Sequence, residues 1–287
     1  MAVRSNPTLR QRRLGAELRR MREQAGLGGT QLARELGISP GQMTQMETAK
    51  IGVSPERLRT VAAACKCANR PLIDALAAMA GERTKGWWES YRGTVGTDAI
   101  DVAEIEGHAQ RLSTYTITFI PGLLQTVAYA NAIFSLGFPP LPQDEVDLRT
   151  SFRLQRQHFI RSEGPRYEAF LHEAALRIQF GEPGVLSDQL AAVIEASNHP
   201  ETSVRVVPFD TANYPGPSSD LTYAAGTVPE LDTVEMDTAH GVQFFDSPAQ
   251  LTSYRATFER VDSIALSEGE SRDFIQSILK EMKDKHA

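Results

Sequence analysis

Apolar side chains recur at the spacing of short helices over residues 10–80. Leu14, Leu18 and Met21 share one face with Arg22, and Gly26 supplies a stop just after Ala25. Thr30–Leu36 carries Leu32, Ala33 and Leu36 on one side. Gly37 ends that stretch and Ile38 fills the corner. Ser39-Pro40 joins a capping serine to a proline at the first helical position, predicting a third helix to about Thr48. Ser54-Pro55 repeats the device ahead of the stripe Leu58, Val61 and Ala62. Pro71 opens a fifth helix that holds Leu72, Ile73, Leu76 and Met79. The pattern predicts an all-α five-helix bundle over residues 1–80.

The pattern then changes. Residues 81–100 form a junction with Gly81, Gly86, Gly93 and Gly96 and the pair Trp87-Trp88. Two adjacent indoles in a linker are expected to pack on a flanking domain. Residues 101–287 mix both element types. Val102–Arg111 reads as a helix, and Ser113–Ile120 alternates Thr with Tyr, Ile and Phe as a strand does. Helices are expected at Pro121–Phe134, Val146–Phe159 and Leu186–Ser197, with strands at Tyr167–Leu171 and Ser203–Phe209. After the Tyr214–Ser219 turn come short strands at Leu221–Ala225, Thr233–Met236 and Val242–Phe245. Helices Pro248–Ala265 and Glu270–Lys285 close the chain. The expected class is α+β: a helical domain followed by a mixed α/β domain, without internal repeats.

Charge sharpens this division. The net charge is −6, yet residues 1–85 carry 15 Lys and Arg against 7 Asp and Glu, and the remainder 15 against 29. The halves are thus about +8 and −14, which suggests different partners. The basic half offers phosphate neutralisation, whereas the acidic half is repelled by DNA. No apolar run approaches the ~18–20 residues of a membrane span. Met1–Arg13 lacks the apolar core of a secretory signal. Cys65 and Cys67, the only cysteines, are too few for a disulfide framework, and the expected compartment is cytoplasmic.

Thr30–Thr48 has the spacing of a helix-turn-helix. Ala33 is small where two helices cross, and Gly37 reverses the chain through a left-handed conformation. Ile38, Met43 and Met46 turn inward against Leu32 and Leu36. Pro40, Gly41, Gln42, Thr44 and Gln45 are left facing outward. In a major groove, Gln pairs bidentately with adenine and Thr contacts a methyl or base edge. Gln31, Ser39 and Lys50 join them as candidate DNA contacts. Residues 10–80 resemble the XRE, lambda-repressor-like regulators. The residues that carry this are Leu18-Arg19-x-x-Arg22, Gln31-Leu32-Ala33-x-x-Leu36-Gly37-Ile38-Ser39 and Met43-Thr44-Gln45-Met46-Glu47. The resemblance implies that Glu47 is a structural acid anchoring the recognition helix to Arg19 or Arg22. It also implies a dimer on a palindromic operator. Two departures stand out: Gly28-Gly29 replaces the usual Ser-Gln opening, and Ala49 stands where glycine is usual.

The acidic half has its own resemblance. Tyr115, Ile120-Pro-Gly-Leu-Leu-Gln125, Arg153-x-x-Arg156-Gln157, His172-Glu-Ala-Ala-Leu176 and Val204-x-Val206-Val207-Pro208-Phe209 carry it. Their order resembles the C-terminal domain of actinomycete XRE regulators related to Scr-type and WhiJ-like proteins. That resemblance implies regulation, often with a small protein partner encoded nearby. Glu106, Gln125, Arg153, Arg156 and His172, with Glu173, are candidates for a ligand or partner site. Arg153 and Arg156 share a helix face and could grip a carboxylate; a surface salt-bridge lattice is the plainer alternative. The Pro121–Gln125 turn could offer backbone N–H groups to a ligand or be simply structural. His172-Glu173 lacks the second histidine of a zinc-protease helix, so no metal or other cofactor is expected. No nucleophile elbow or phosphate-binding glycine loop appears, and the expected protein is not an enzyme. Two functional readings remain: a DNA-binding regulator whose acidic domain dimerises, senses or binds a partner, and an antitoxin-like protein that mainly holds its neighbour-encoded partner.

Overall fold

A computed structural model describes residues 6–82, 84–137, 139–212, 214, 216–238 and 241–286, with the side chains of 285 and 286 excepted. The chain divides into two compact units, Met1–Glu89 and Ser90–Ala287. The architecture is α+β overall, a helical region followed by a mixed six-stranded sheet with helices.

The first unit holds α1 (Leu9–Gln24), α2 (Gly29–Glu35), α3 (Pro40–Glu47), α4 (Pro55–Ala64) and α5 (Arg70–Gly81). Side chains fix most of the helix starts. Thr8 and Ser39 form capping boxes with Gln11 and Gln42, while Ser54 and Asn69 cap α4 and α5. α2 begins on Gly28 and has no side-chain cap, as the missing serine implied. Gly37 lies at φ +66°. The Ile38 N–H donates to the Ala33 carbonyl and the Gly37 N–H to that of Arg34, which closes α2 and turns the chain into α3. Leu18, Leu32, Met43, Leu58, Val61 and Leu76 form the core around which the helices pack. A 3-10 turn at Trp87–Tyr91 follows, where the two indoles meet edge to face with centroids 6.0 Å apart and Trp88 is buried.

The second unit runs α6 (Thr97–His108), β1 (Arg111–Thr116), α7 (Val127–Ser135), α8 (Gln143–Ser162), β2 (Arg166–His172), α9 (Glu173–Arg177), α10 (Val185–Ala196) and β3 (Thr202–Val207). It continues with β4 (Leu221–Ala225), β5 (Thr233–Thr238), β6 (Gly241–Phe245), α11 (Pro248–Ile264) and α12 (Glu268–His286). The strand order is β3-β2-β1-β4-β5-β6. The first three strands run parallel, and β4, β5 and β6 add to β1 as an antiparallel ribbon. Leu112, Tyr167, Ala169, Leu171, Val204 and Val206 face a core shared with α7, α8, α10 and α12. The opposite face, with Tyr115, Phe170, Val207, Tyr223 and Val234, is covered by α11. Each side of the sheet thus buries its alternate residues under helices.

Several boundaries differ from the sequence pattern. The helix expected at Val102–Arg111 begins at Thr97 and stops at His108, because Arg111 is already paired with Arg166 in the sheet. The strand expected to reach Ile120 ends at Thr116, where the Ile117 N–H is taken by the Asp220 carboxylate rather than by a strand. The single helix expected over Pro121–Phe134 is a 3-10 turn, Gly122–Leu124, followed by α7. Gln125 between them is extended, and Thr126 caps the new helix. β3 ends before Pro208, which has no N–H to give a ladder. The short helix α9 was not foreseen. In the Tyr214–Ser219 turn, Pro215 lies outside the described residues.

Candidate functional site

In the first unit, the exposed N-terminal half of α3 is the surface a helix-turn-helix offers to DNA. Ser39, Pro40, Gly41, Gln42 and Thr44 are exposed; Gln45 is half-buried. Met43 and Met46 are buried on the opposite side. Gln31 and Lys50, on α2 and just past α3, are also exposed. Gln42 is held in advance: its Oε1 accepts from the Ser39 N–H at 3.1 Å, and the Ser39 Oγ accepts from the Gln42 N–H at 3.1 Å. Gln42 itself stays exposed to solvent. A bidentate adenine contact would need the carbonyl released from the capping box, at a cost of about 0.5–1.5 kcal/mol for one net hydrogen bond. The Thr44 hydroxyl donates to the Pro40 carbonyl and leaves its methyl outward-facing on an exposed residue.

What holds α3 is a buried fork. Arg22 on α1 donates from Nε to the Glu47 Oε1 at 2.6 Å and from Nη2 to Oε2 at 3.0 Å. Its Nη1 donates to the Leu27 carbonyl. The pair is about one-tenth exposed on each side. The hydrogen bond to Glu47 outweighs burial and raises the Arg22 pKa. Arg19, the other arginine weighed as an anchor, instead pairs with Glu23 on the surface. Ala33 is fully buried where α2 meets α3. Many of the basic side chains are tied to acids: Arg10 to Glu82, Arg13 and Arg20 to Glu17, Arg59 to Asp74. Arg34 and Lys50 are exposed and carry no ion pair among the described residues, leaving them available for phosphates.

In the second unit, four of the five candidate residues come together. Glu106 on α6, Arg153 and Arg156 on α8, and Gln125 in the loop after β1 line one cavity of about 260 Å³. Arg156 forks onto Glu106 at 2.9 and 2.5 Å. Burial opposes the Arg156 charge, but the charge and hydrogen bonds of Glu106 more than compensate and raise its pKa. Arg153 hydrogen-bonds the Gln125 Oε1 and lies over the Phe134 ring at 4.2 Å. Burial, then the neighbouring Arg156, lowers its pKa to about 10. Gln125 is therefore a positioning residue whose own Nε2 is spent on the Ile120 carbonyl. The Pro121–Thr126 segment is stitched from below. Gln157 donates to the Gly122 and Gln125 carbonyls, and Gln189 donates to Leu124 and accepts from the Thr126 N–H. The turn's N–H groups at Leu124 and Gln125 close the 3-10 turn itself, so they are not offered to a ligand.

His172 lies elsewhere. Its Nδ1 accepts from the Ala174 N–H as the cap of α9, and its ring packs against Phe209 and Tyr214. Burial lowers its pKa. Glu173 pairs with Arg177 and accepts from the Phe209 N–H. Sequence reasoning missed the strand side of the cavity: Thr114, Thr116, Tyr167, Asp220, Thr222, Glu235 and Asp237. Register brings Thr114, Thr222 and Glu235 into one row across β1, β4 and β5. The signal was present in the alternating threonines of β1, which served only to predict a strand. Among the described residues no group of His, Cys, Asp and Glu is arranged to hold a metal ion, and no helix is long and apolar enough to cross a membrane.

Fold and surface together define a helix-turn-helix domain joined to an α+β domain. Residues 13–76 match the family model of a helix-turn-helix domain. Residues 100–277, more than half the chain, match that of DUF5753, a domain of unknown function, and the protein belongs to this family. No curated protein and no solved structure matches the chain.

Proposed function

We propose that the protein is a non-enzymatic, sequence-specific transcriptional regulator of the XRE type, binding a palindromic operator as a dimer. The observation that carries this reading is the outward N-terminal half of α3, held rigid by its capping box and by the Arg22–Glu47 fork. Two such helices, placed by a two-fold axis about one DNA turn apart, would read two half-sites. Pro40, Gly41, Gln42, Thr44 and Gln45 face the bases in this reading; Gln31, Ser39, Arg34 and Lys50 face the backbone. The acidic second unit is repelled by DNA and takes the regulatory role, through a small effector or a protein partner. The resemblance to Scr-type and WhiJ-like regulators favours an intracellular protein with such a partner.

The test is duplex binding by the full chain across a salt series. The reading expects affinity that falls linearly on a log–log plot, with a slope set by the phosphates neutralised. Affinity that is absent, or insensitive to salt, would overturn it.

A further inference from the structure

The cavity in the second unit is more polar than a fold needs. It lies on the side of the sheet that packs against α7, α8, α10 and α12, beside an otherwise apolar core. Tyr167 and Thr116 are each more than nine-tenths buried, yet the Thr116 Oγ1 has no hydrogen-bond partner among the described residues. The Tyr167 hydroxyl approaches Thr114 without an aligned hydrogen bond. The Glu235 Oε2 is likewise sealed from solvent and unpartnered. Buried polar atoms in native proteins are nearly always satisfied, so three around one space point to a missing occupant.

We propose that this cavity binds a small zwitterion of amino-acid size, with Arg153 holding its carboxylate and Glu235 and Asp237 holding its ammonium. The two arginines differ in their commitments. Arg156 is spent on Glu106, whereas Arg153 has no carboxylate partner among the described residues. Glu235 and Asp237 stand two residues apart on β5, on the same side of the sheet. Among the described residues, one wall therefore presents a cation without an ion-pair partner and another presents acids without one. An amine alone would leave Arg153 unpaired in a desolvated place, and a carboxylate alone would face the acids of β5. The hydroxyls of Tyr167 and Thr116 supply further polar contacts. The volume of about 260 Å³ falls below the roughly 300–1,000 Å³ of sites for drug-sized ligands, which selects a small molecule.

Glu235 adds a signature. Its carboxyl is held protonated well above the usual carboxylate range, first by burial and then by Glu106, with Asp237 adding to this and Arg156 and Thr222 opposing. An ammonium placed beside it favours the ionised form, so binding releases a proton.

Binding itself is independent of DNA; its regulatory meaning rests on the DNA-binding reading. The probes are free α-amino acids, each compared with the amine lacking its carboxylate and the acid lacking its ammonium. Thermal shift and calorimetry on the full chain provide the readout. At least one amino acid should raise the melting temperature in a saturable way, and its amine and acid counterparts should bind at least about tenfold more weakly. Its binding enthalpy near neutral pH should vary with the buffer's ionisation enthalpy, and this dependence should disappear in Glu235→Gln. Arg153→Gln should weaken binding by about tenfold or more. Tyr167→Phe removes a hydroxyl that makes no aligned hydrogen bond, so it should weaken binding while the circular dichroism spectrum stays unchanged. The proposal is overturned if no amino acid binds, if the amine or acid binds as well as the zwitterion, or if Tyr167→Phe and Arg153→Gln, both folded, bind like the parent. Binding that leaves duplex affinity unchanged would uphold the site and count against its regulatory role alone.

Discussion

Gln42 shows how one side chain serves two ends. It completes the cap that starts α3 and, in the proposed reading, meets a base as well. Left-handed residues set a different balance. Ala49 lies at φ 59°, where the resemblance to XRE regulators implies glycine, and Lys66 at φ 52° ends α4. Such a conformation costs an L-residue about 1–2 kcal/mol. At exposed Lys66 nothing offsets it, and Lys66→Gly is predicted to stabilise by roughly 0.5–1 kcal/mol in chemical denaturation. At Ala49 the methyl is buried, 3% exposed, and losing it costs about 0.8 kcal/mol. Ala49→Gly is therefore predicted to change stability little, and equal gains at both sites would refute this account. Glu235 gives a pH prediction. Its carboxyl ionises near ~4.3 in the unfolded chain but higher in the folded one. The folded state thus holds the proton longer, and stability declines as pH rises between the two values. Glu235→Gln should leave stability nearly unchanged below the lower value and raise it by roughly 1–3 kcal/mol above the upper one. Parallel melting-temperature curves for the two proteins across pH would contradict this.

At the scale of elements, helix starts in the first unit were legible because serine caps and prolines announce them locally. Ser39-Pro40 and Ser54-Pro55 placed α3 and α4 to within a residue. Boundaries in the second unit were less legible because tertiary partners set them. β1 stops where Asp220 captures the next N–H, and the Pro121–Thr126 segment is broken by glutamines from α8 and α10. The pairing of Glu106 with Arg156, 50 residues apart, needed the fold, whereas for Glu47 the resemblance had already narrowed the partner to Arg19 or Arg22 and the fold selected Arg22. The cavity's strand wall stayed hidden because register, not sequence spacing, aligns Thr114, Thr222 and Glu235. Gly15 was equally silent. A Cβ there would sit 2.5 Å from the Glu47 carbonyl oxygen, so glycine is what lets α1 pass the end of α3. The three nearest atoms, from Glu47 and Met46, are all backbone. Gly15→Ala should push α3 away, destabilise the first unit by a few kcal/mol (about 1–3, as for overpacking) and weaken duplex binding. An unchanged melting temperature would show that the two helices can separate freely.

For the whole molecule, the separation of charge is the organising fact. A half of about +8 carries the outward helix α3, and a half of about −14 carries a polar cavity. In the proposed reading, one half gives affinity for a polyanion and the other a place for a signal. The claim on which both depend is that α3 reads bases. The most direct measurement is selection from a random duplex library with the full chain and with its Gln42→Ala and Gln45→Ala variants. The account predicts an enriched palindromic sequence, with each variant relaxing the preference at one or two positions per half-site by about 1–3 kcal/mol. Enrichment of the same sequence, with the same preference, by all three proteins would contradict it.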